Sequence, residues 1–401
     1  MSATEATGQA GSDGTSTKGK ITEEMIAEMR SRIGRKRPAH RPWNTGASFD
    51  SIHHFAEGVG DMNPLWVDRA YGAASHWGRQ MAPPTYVYTL GVPLGGGMRG
   101  IHGLFGGTAH TWHHPIYEGD ELQGTTELVD IVKHEGRLSP VMYKQIERME
   151  YTNQHGVLVC EAEQWAIRFE RDTASERRSS EKGRYSARPI ASYTPDGIKG
   201  IDQEYAREER RGATPLFWED VEVGDYVPHV VKGPLRVTDI ICYMMGGGGP
   251  YARAHRVNWE FRQEHPAAYV LNERGIPECV ESVHWDDERA QKVGTPAAYD
   301  YGPERPSWIM QALHNWMGDH GWVEYHRFEL RGVNVVGDVT RCAARVTRKY
   351  VENGRHLLDL DTWGQNQLGE FTARGQGRVR LPARDGNDPG AAPELAHKPS
   401  A

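Results

Sequence analysis

The chain has 401 residues, enough for two or three domains and for a sizeable buried core. Hydrophobic residues make up 38% and charged residues 25%, the balance of an ordinary globular protein. A net charge of -7 argues against nucleic-acid binding, which needs a clustered basic surface. The one compact basic cluster, Arg35-Lys36-Arg37 with His40 and Arg41, is read as a solvated loop, with an anion-contacting patch as the alternative. The four cysteines (Cys160, Cys242, Cys279, Cys342) show no CxxC spacing, so neither a zinc site nor a disulfide framework is expected, and a reducing compartment is. No apolar run reaches the ~18 residues of a membrane span, and the first residues carry no secretory h-region. A cytosolic protein without membrane spans is the expectation.

In chain order, residues 1–19 are too polar to bury anything and should be disordered. A helical signal begins at Ser51, read as an N-cap. Gly119-Asp120 then opens alternating apolar and polar runs, and Asn153 to Gly156 reads as a hairpin turn between two of them. A charged, Gly/Ser-rich stretch follows, too long for a tight loop and read as a linker over 173–213. The second half repeats the plan, with a helical signal at Thr238, an opening Gly337-Asp338 and a turn at Asn366 to Gly369. It adds a longer helix over about 303–317, with Pro303 in the first turn, a stripe of Trp308, Ile309, Ala312, Leu313 and Trp316, and Gly318 as C-cap. Residues 383–401 read as a second disordered tail. The domains are thus 20–172 and 214–382, an α+β architecture in which each half is an antiparallel sheet wrapped around a central helix.

The segment Gly60-Asp61-Met62-Asn63-Pro64-Leu65-Trp66-Val67-Asp68 is similar to the Asp-x-Asn-Pro-x-His-x-Asp motif of MaoC-like hot-dog hydratases, except that Trp66 stands in the His place. In the second half, Val283-His284-Trp285-Asp286-Asp287-Glu288-Arg289-Ala290 followed by Gly294 resembles the tail of the same motif. There His284 takes the His place, while Cys279 and Glu281 take the Asp and Asn places. Phe217 to Asp225 looks like the usual opening of a MaoC-like half. Over about residues 20–382 the chain resembles tandem double hot-dog proteins of the acyl-CoA hydratase/dehydratase family, with a fatty-acid-synthase-like N-terminal dehydratase half and a MaoC-like C-terminal half. A segment of about 30 residues before Val283 departs from that pattern and reads as a lid over the site or as a surface excursion.

The resemblance implies reversible addition of water to a 2-enoyl thioester, R-specific, with one half catalysing and the other shaping the acyl tunnel. His284 is then the catalytic base, Glu281 a partner to it and Asp286 a loop-supporting cap. Backbone N–H groups at Asp300-Tyr301-Gly302, ahead of Pro303, would hold the thioester oxygen. Arg305 either meets a coenzyme A phosphate or pairs with Asp300. Asp61 and Asn63 belong to a degenerate site that Trp66 fills or lines. No metal is expected at His110, His113 and His114, and no cofactor beyond the coenzyme A of the substrate. The glycine-rich run from Leu94 to Gly107 is either a flexible turn or room for a bulky acyl group. The expected partners are an acyl-CoA thioester and a second copy or partner hot-dog subunit. A hot-dog thioesterase and a non-catalytic acyl-CoA-binding subunit remain as alternatives.

Overall fold

The computed structural model describes residues 19–39, 42–91, 97–98, 101–134, 141–170 and 188–387. Within them lie strands β1 (Lys36–Pro38), β2 (His102–Trp112), β3 (Leu122–Lys133), β4 (Met142–Asn153), β5 (Leu158–Phe169), β6 (Tyr226–Lys232), β7 (Tyr269–Leu271), β8 (Pro277–Cys279), β9 (Trp322–Leu330), β10 (Thr340–Glu352), β11 (Arg355–Asn366) and β12 (Phe371–Arg380). The helices are α1 (Glu23–Arg30), α2 (Phe49–Val59), α3 (Pro64–Val67), α4 (Arg69–Ala74), α5 (Pro195–Tyr205), α6 (Val237–Gly247), α7 (His255–Glu264), α8 (Asp287–Lys292) and α9 (Glu304–Met317).

Ten strands form one sheet in the order β1-β3-β4-β5-β2-β9-β12-β11-β10-β6, and β7 pairs with β8 in a separate hairpin. The two halves meet where β2 pairs antiparallel with β9, with His110 opposite His326. Gly107 is needed at this junction, because a Cβ there would stand 2.3 Å from the Phe328 carbonyl and 2.4 Å from the Trp165 ring. At Gly107, therefore, the glycine-rich run serves close strand packing rather than a flexible turn or an acyl space. Residues 94–96 and 99–100 of that run lie outside the described residues.

The repeat is visible bond by bond. In each half a Gly-Asp pair opens the meander with a positive-φ glycine, Gly119 at 92° and Gly337 at 96°. Asp120 Oδ2 accepts from the Tyr117 N–H, as Asp338 Oδ2 accepts from that of Val335. The hairpin glutamine then folds back: Gln154 Oε1 accepts from the Glu121 N–H, and Gln367 Oε1 from the Val339 N–H. Both hairpins turn as their sequences predict, with Gly156 and Gly369 donating to the carbonyls of Asn153 and Asn366.

α9 is buried along nearly its whole circumference, with Ile309 and Leu313 at 0% exposure and Trp316 partly buried. Its N-terminal counterpart is a short 3-10 turn, Pro84–Leu90, which is also buried throughout. One apolar core runs through both halves.

Five features differ from the sequence reading. Ser48, not Ser51, caps α2, and Arg236 stands at the N-cap of α6, where Asp239 accepts from its N–H. Lys36 and Arg37 of the basic cluster lie in an edge strand rather than a loop: β1 pairs with β3, Lys36 binds Glu150 and Arg37 binds Glu147, while His40 and Arg41 lie outside the described residues. Of the linker, 173–187 lie outside the described residues, but 188–213 are bound to the C-terminal half. Arg188 meets buried Asp338 at 2.6 Å, and Glu204 of α5 takes both Arg341 nitrogens. Of the tails, 1–18 and 388–401 lie outside the described residues. Ala383 is buried and Arg384 holds Asp220 at 2.6 Å, so the second tail begins later than its composition suggests.

The equivalent helices α2 and α6 touch through equivalent glycines. A Cβ on Gly58 would stand 2.6 Å from the Cys242 carbonyl oxygen, and one on Gly246 would stand 2.3 Å from the His54 carbonyl oxygen. These neighbours are backbone and cannot rotate away. Alanine normally stabilises a helix by up to about 1 kcal/mol over glycine. Here overpacking should win, and Gly246→Ala should lose about 1–3 kcal/mol in urea denaturation. Equal or greater stability of the variant would disprove the close contact.

Candidate active site

His284 ends a 3-10 turn, Val280–His284, that follows β8. The turn is fixed behind it by Asp286, whose Oδ1 accepts from the Arg289 N–H at 3.1 Å and caps α8. Asp68 does the same for α4. Asp286 is thus placed as a cap, and its oxygen is spent on the backbone.

The His284 ring is held on three sides. Its Nδ1–H donates to the Tyr299 carbonyl at 2.7 Å, which leaves Nε2 as the basic nitrogen of the neutral ring. Its face stacks on Tyr301, with centroids 3.9 Å apart at 23°, and Tyr299 meets its edge at 4.8 Å. Burial pulls its pKa from the ordinary 6.5 down to about 4, partly offset by the carbonyls of Tyr299 and Asp300. His284 is therefore neutral at neutral pH.

Glu281 lies one turn earlier and is 5% exposed. Its Oε1 accepts from the Tyr301 hydroxyl at 2.8 Å, and its Oε2 from the N–H groups of Tyr251 and Ala252 at 2.8 and 3.0 Å. Burial raises its pKa, and these three donors oppose the rise. Cys279 is buried beside it, and burial pushes its thiol up to about 12. It cannot supply the carboxylate that the Asp place would carry.

The start of α9 contributes one free donor. The Tyr301 N–H is taken by Glu304 Oε1 at 2.9 Å, whereas the Gly302 N–H has no acceptor among the described residues. Gly302 packs against Phe105 of the N-terminal half, where a Cβ would fall 2.6 Å from the ring. Asp300 and Arg305 form a buried bidentate pair at 2.5 and 2.6 Å. Arg305 Nη1 also donates to the carbonyls of Gly332 and Thr372. Arg305 is thereby committed inside the fold, out of reach of a coenzyme A phosphate, and Asp300 is committed with it.

The N-terminal counterpart is built differently. Met81 bridges Tyr117 as Tyr299 bridges Val335, which aligns Trp66 with His284, Pro83 with Tyr301 and Pro84 with Gly302. Trp66 is 1% exposed and fills the place of an imidazole. Its indole N–H donates to Asp61 Oδ2 at 3.1 Å, and its ring meets that of His314 at 5.3 Å. Asp61 Oδ1 has no partner among the described residues. Asn63 Oδ1 is spent capping α3 through the Leu65 N–H. Pro83 and Pro84 have no N–H where the other half offers Gly302.

His110 is buried at the β2–β9 junction, edge-on to Tyr88, while His113 is exposed beyond the strand end. The lid-or-excursion segment approaches the site, since it supplies the Tyr251 and Ala252 donors to Glu281. Sequence reasoning missed Tyr299 and the ring role of Tyr301. The signal available was the pair of tyrosines flanking Asp300, and the contrast of Tyr301-Gly302 with Pro83-Pro84 in the repeat.

Residues 33–162 match the family model of the FAS1-like dehydratase domain region. The chain is 30% identical over 137 residues to a UPF0336 protein of Parafrankia sp., covering 32% of this chain and 86% of that protein. A Streptomyces avermitilis UPF0336 protein is 28% identical over 107 residues, covering 25% of this chain and 70% of that protein. Among solved structures, a MaoC-like dehydratase superposes with a TM-score of 0.62 at 18% identity, over 88% of this chain and 99% of that one. A Mycobacterium tuberculosis protein described as having a double hotdog fold gives 0.52 at 13% identity, over 87% of this chain and 96% of that one. The chain belongs to the family of these UPF0336 proteins, and over both halves it has the double hot-dog fold of the MaoC-like dehydratase structure.

Proposed function

We propose that the C-terminal half reversibly hydrates a 2-enoyl-coenzyme A thioester to the (3R)-3-hydroxyacyl product. The observation that carries this reading is the difference between the two aligned loops: His284 and the Gly302 N–H in one half, Trp66 and Pro84 in the other. Among the described residues, only the C-terminal half pairs a neutral imidazole with an unspent donor at the start of a long helix.

In the forward direction His284 Nε2 takes a proton from water as its oxygen bonds to C3 of the enoyl group. Charge moves onto the thioester oxygen, where the Gly302 N–H and the α9 dipole oppose it. The imidazolium then returns a proton at C2, so one residue serves as base and acid and no net proton is consumed. Coenzyme A enters as part of the substrate, and no other cofactor takes part. The unpaired cysteines suit a cytosolic setting. The (3R) outcome rests on the resemblance to MaoC-like hydratases.

The direct test follows short, long and bulky enoyl-CoA thioesters by mass spectrometry, with wild type and His284→Ala. Gain of one water by wild type, reduced about 10²–10⁴-fold in the variant, is expected. Release of free coenzyme A without a water adduct would replace the reading with a thioesterase. Binding without turnover of any thioester would replace it with a non-catalytic subunit.

The imidazole also sets a pH dependence. The neutral ring is the active form, so kcat/KM should hold through the ordinary histidine range and fall as pH drops towards about 4. The same shift contributes stability that is present above 6.5, the unfolded value, and lost as pH falls through about 4. An NMR titration of the His284 ring checks both, and a midpoint at or above 6.5 would contradict them.

A further inference from the structure

The symmetry of the two halves breaks between α6 and β8. After α2, Gly60 leads directly to Asp61, but after α6 the chain makes an excursion through α7 and the β7–β8 hairpin before Cys279. This excursion has a small core of its own. Phe261 is buried against Tyr251, His265 and Tyr269, and Arg253 lies over the Phe261 ring at 5.7 Å. Arg253 Nη1 also donates to the carbonyls of Gly249 and Ala252, which curls the start of the segment. The curled backbone surrounds one carboxylate: a Cβ on Gly249 would fall 3.2 Å from Glu281 Oε1.

Glu281 therefore does a different job from Asn63, its equivalent. Asn63 caps its own turn, whereas Glu281 reaches outward to two backbone N–H groups of the inserted segment and inward to the Tyr301 hydroxyl. Tyr301 in turn is the platform on which His284 stacks. We propose that Glu281 is a positioning residue that latches the inserted segment to the Tyr301–His284 stack, and that it carries no proton in the reaction. All three donors that reach it serve to hold geometry. The path from Tyr251 through Glu281 and Tyr301 to His284 makes the segment part of the site.

The kinetic side of this proposal rests on the hydratase reading, and the structural side does not. The experiment compares Glu281→Gln and Glu281→Ala in the full chain. A glutamine oxygen can still accept the two N–H groups while its NH2 faces the Tyr301 oxygen, so a latch survives in Gln and fails in Ala. Hydrogen exchange of residues 250–279 and the ring-current shift of His284 are read without substrate. Exchange in the segment should rise at least about tenfold in Ala and stay near wild type in Gln, with the His284 shift following the same split. With an enoyl-CoA substrate, Gln should retain turnover within about tenfold and keep the wild-type pH profile, while Ala should lose kcat more than KM.

Loss in Gln as deep as in Ala, with segment protection intact, would make Glu281 an acid–base residue and overturn the proposal. Segment exchange unchanged in Ala would overturn the latch. If Ala does not fold, the Gln pH profile decides alone: a lost limb refutes positioning and an unchanged profile supports it. If wild type turns over no thioester, the hydratase reading falls, and the exchange and ring-current comparison still decides the latch.

Discussion

The antiparallel pairing of β2 with β9 is the constraint on which the rest depends. It converts two half-sheets into one and removes the free edge that each would otherwise present. It also fixes the two halves side by side, with α2 and α6 in contact at Gly58 and Gly246 and Phe105 of one half packed on Gly302 of the other. The start of α9 is thereby lined by both halves. His110 and His326 stand opposite each other at this junction, and burial lowers their pKa values to about 3 and about 4. They are neutral packing groups there.

Within that frame the two halves share a backbone and diverge in side chains. The Gly-Asp openings and the hairpin glutamines repeat bond for bond, and Asp68 and Asp286 cap equivalent helices. Such features hold a fold and carry no chemistry. The divergence falls at four aligned places, Asp61 against Cys279, Asn63 against Glu281, Trp66 against His284, and Pro83-Pro84 against Tyr301-Gly302. In the proposed hydration, an indole buried on a carboxylate and two prolines without N–H groups leave the first loop a structural part. Every feature that the proposed hydration needs lies in the second loop.

Much of this was legible in the sequence. Alternation at period two and the Asn-Gln-x-Gly turns marked the meanders, because those patterns are local. The α9 stripe marked the central helix for the same reason. The edge strand at Lys36 was not legible, since its charges read as solvent-facing until Glu147 and Glu150 of β4 were brought opposite them. Nor was the ordering of residues 188–213, because a polar segment gains its structure from a surface it meets far along the chain. In the site, His284 was legible from the motif. Its stack on Tyr301 and the donors on Glu281 were not, for they join residues 17 to 30 positions apart whose contact only the tertiary fold determines.

The loss of the motif carboxylate at Cys279 has a coherent electrostatic meaning. A carboxylate beside His284 would favour the imidazolium and raise its pKa, whereas with a buried thiol that stays protonated the effect of burial is opposed by the carbonyls of Tyr299 and Asp300 and still prevails. The outcome is an imidazole that is almost wholly neutral at working pH, and whose conjugate acid is strong. In the proposed hydration such a group would be a modest base towards water and an effective proton donor towards C2. The balance suits the proposed step, because the enolate stabilised by a backbone donor and a helix terminus is quenched at C2 by the proton that the imidazolium took from water. A second carboxylate in the reaction path would work against that balance. This is why Glu281, saturated by three donors and turned towards the inserted segment, fits the role of scaffold better than that of acid.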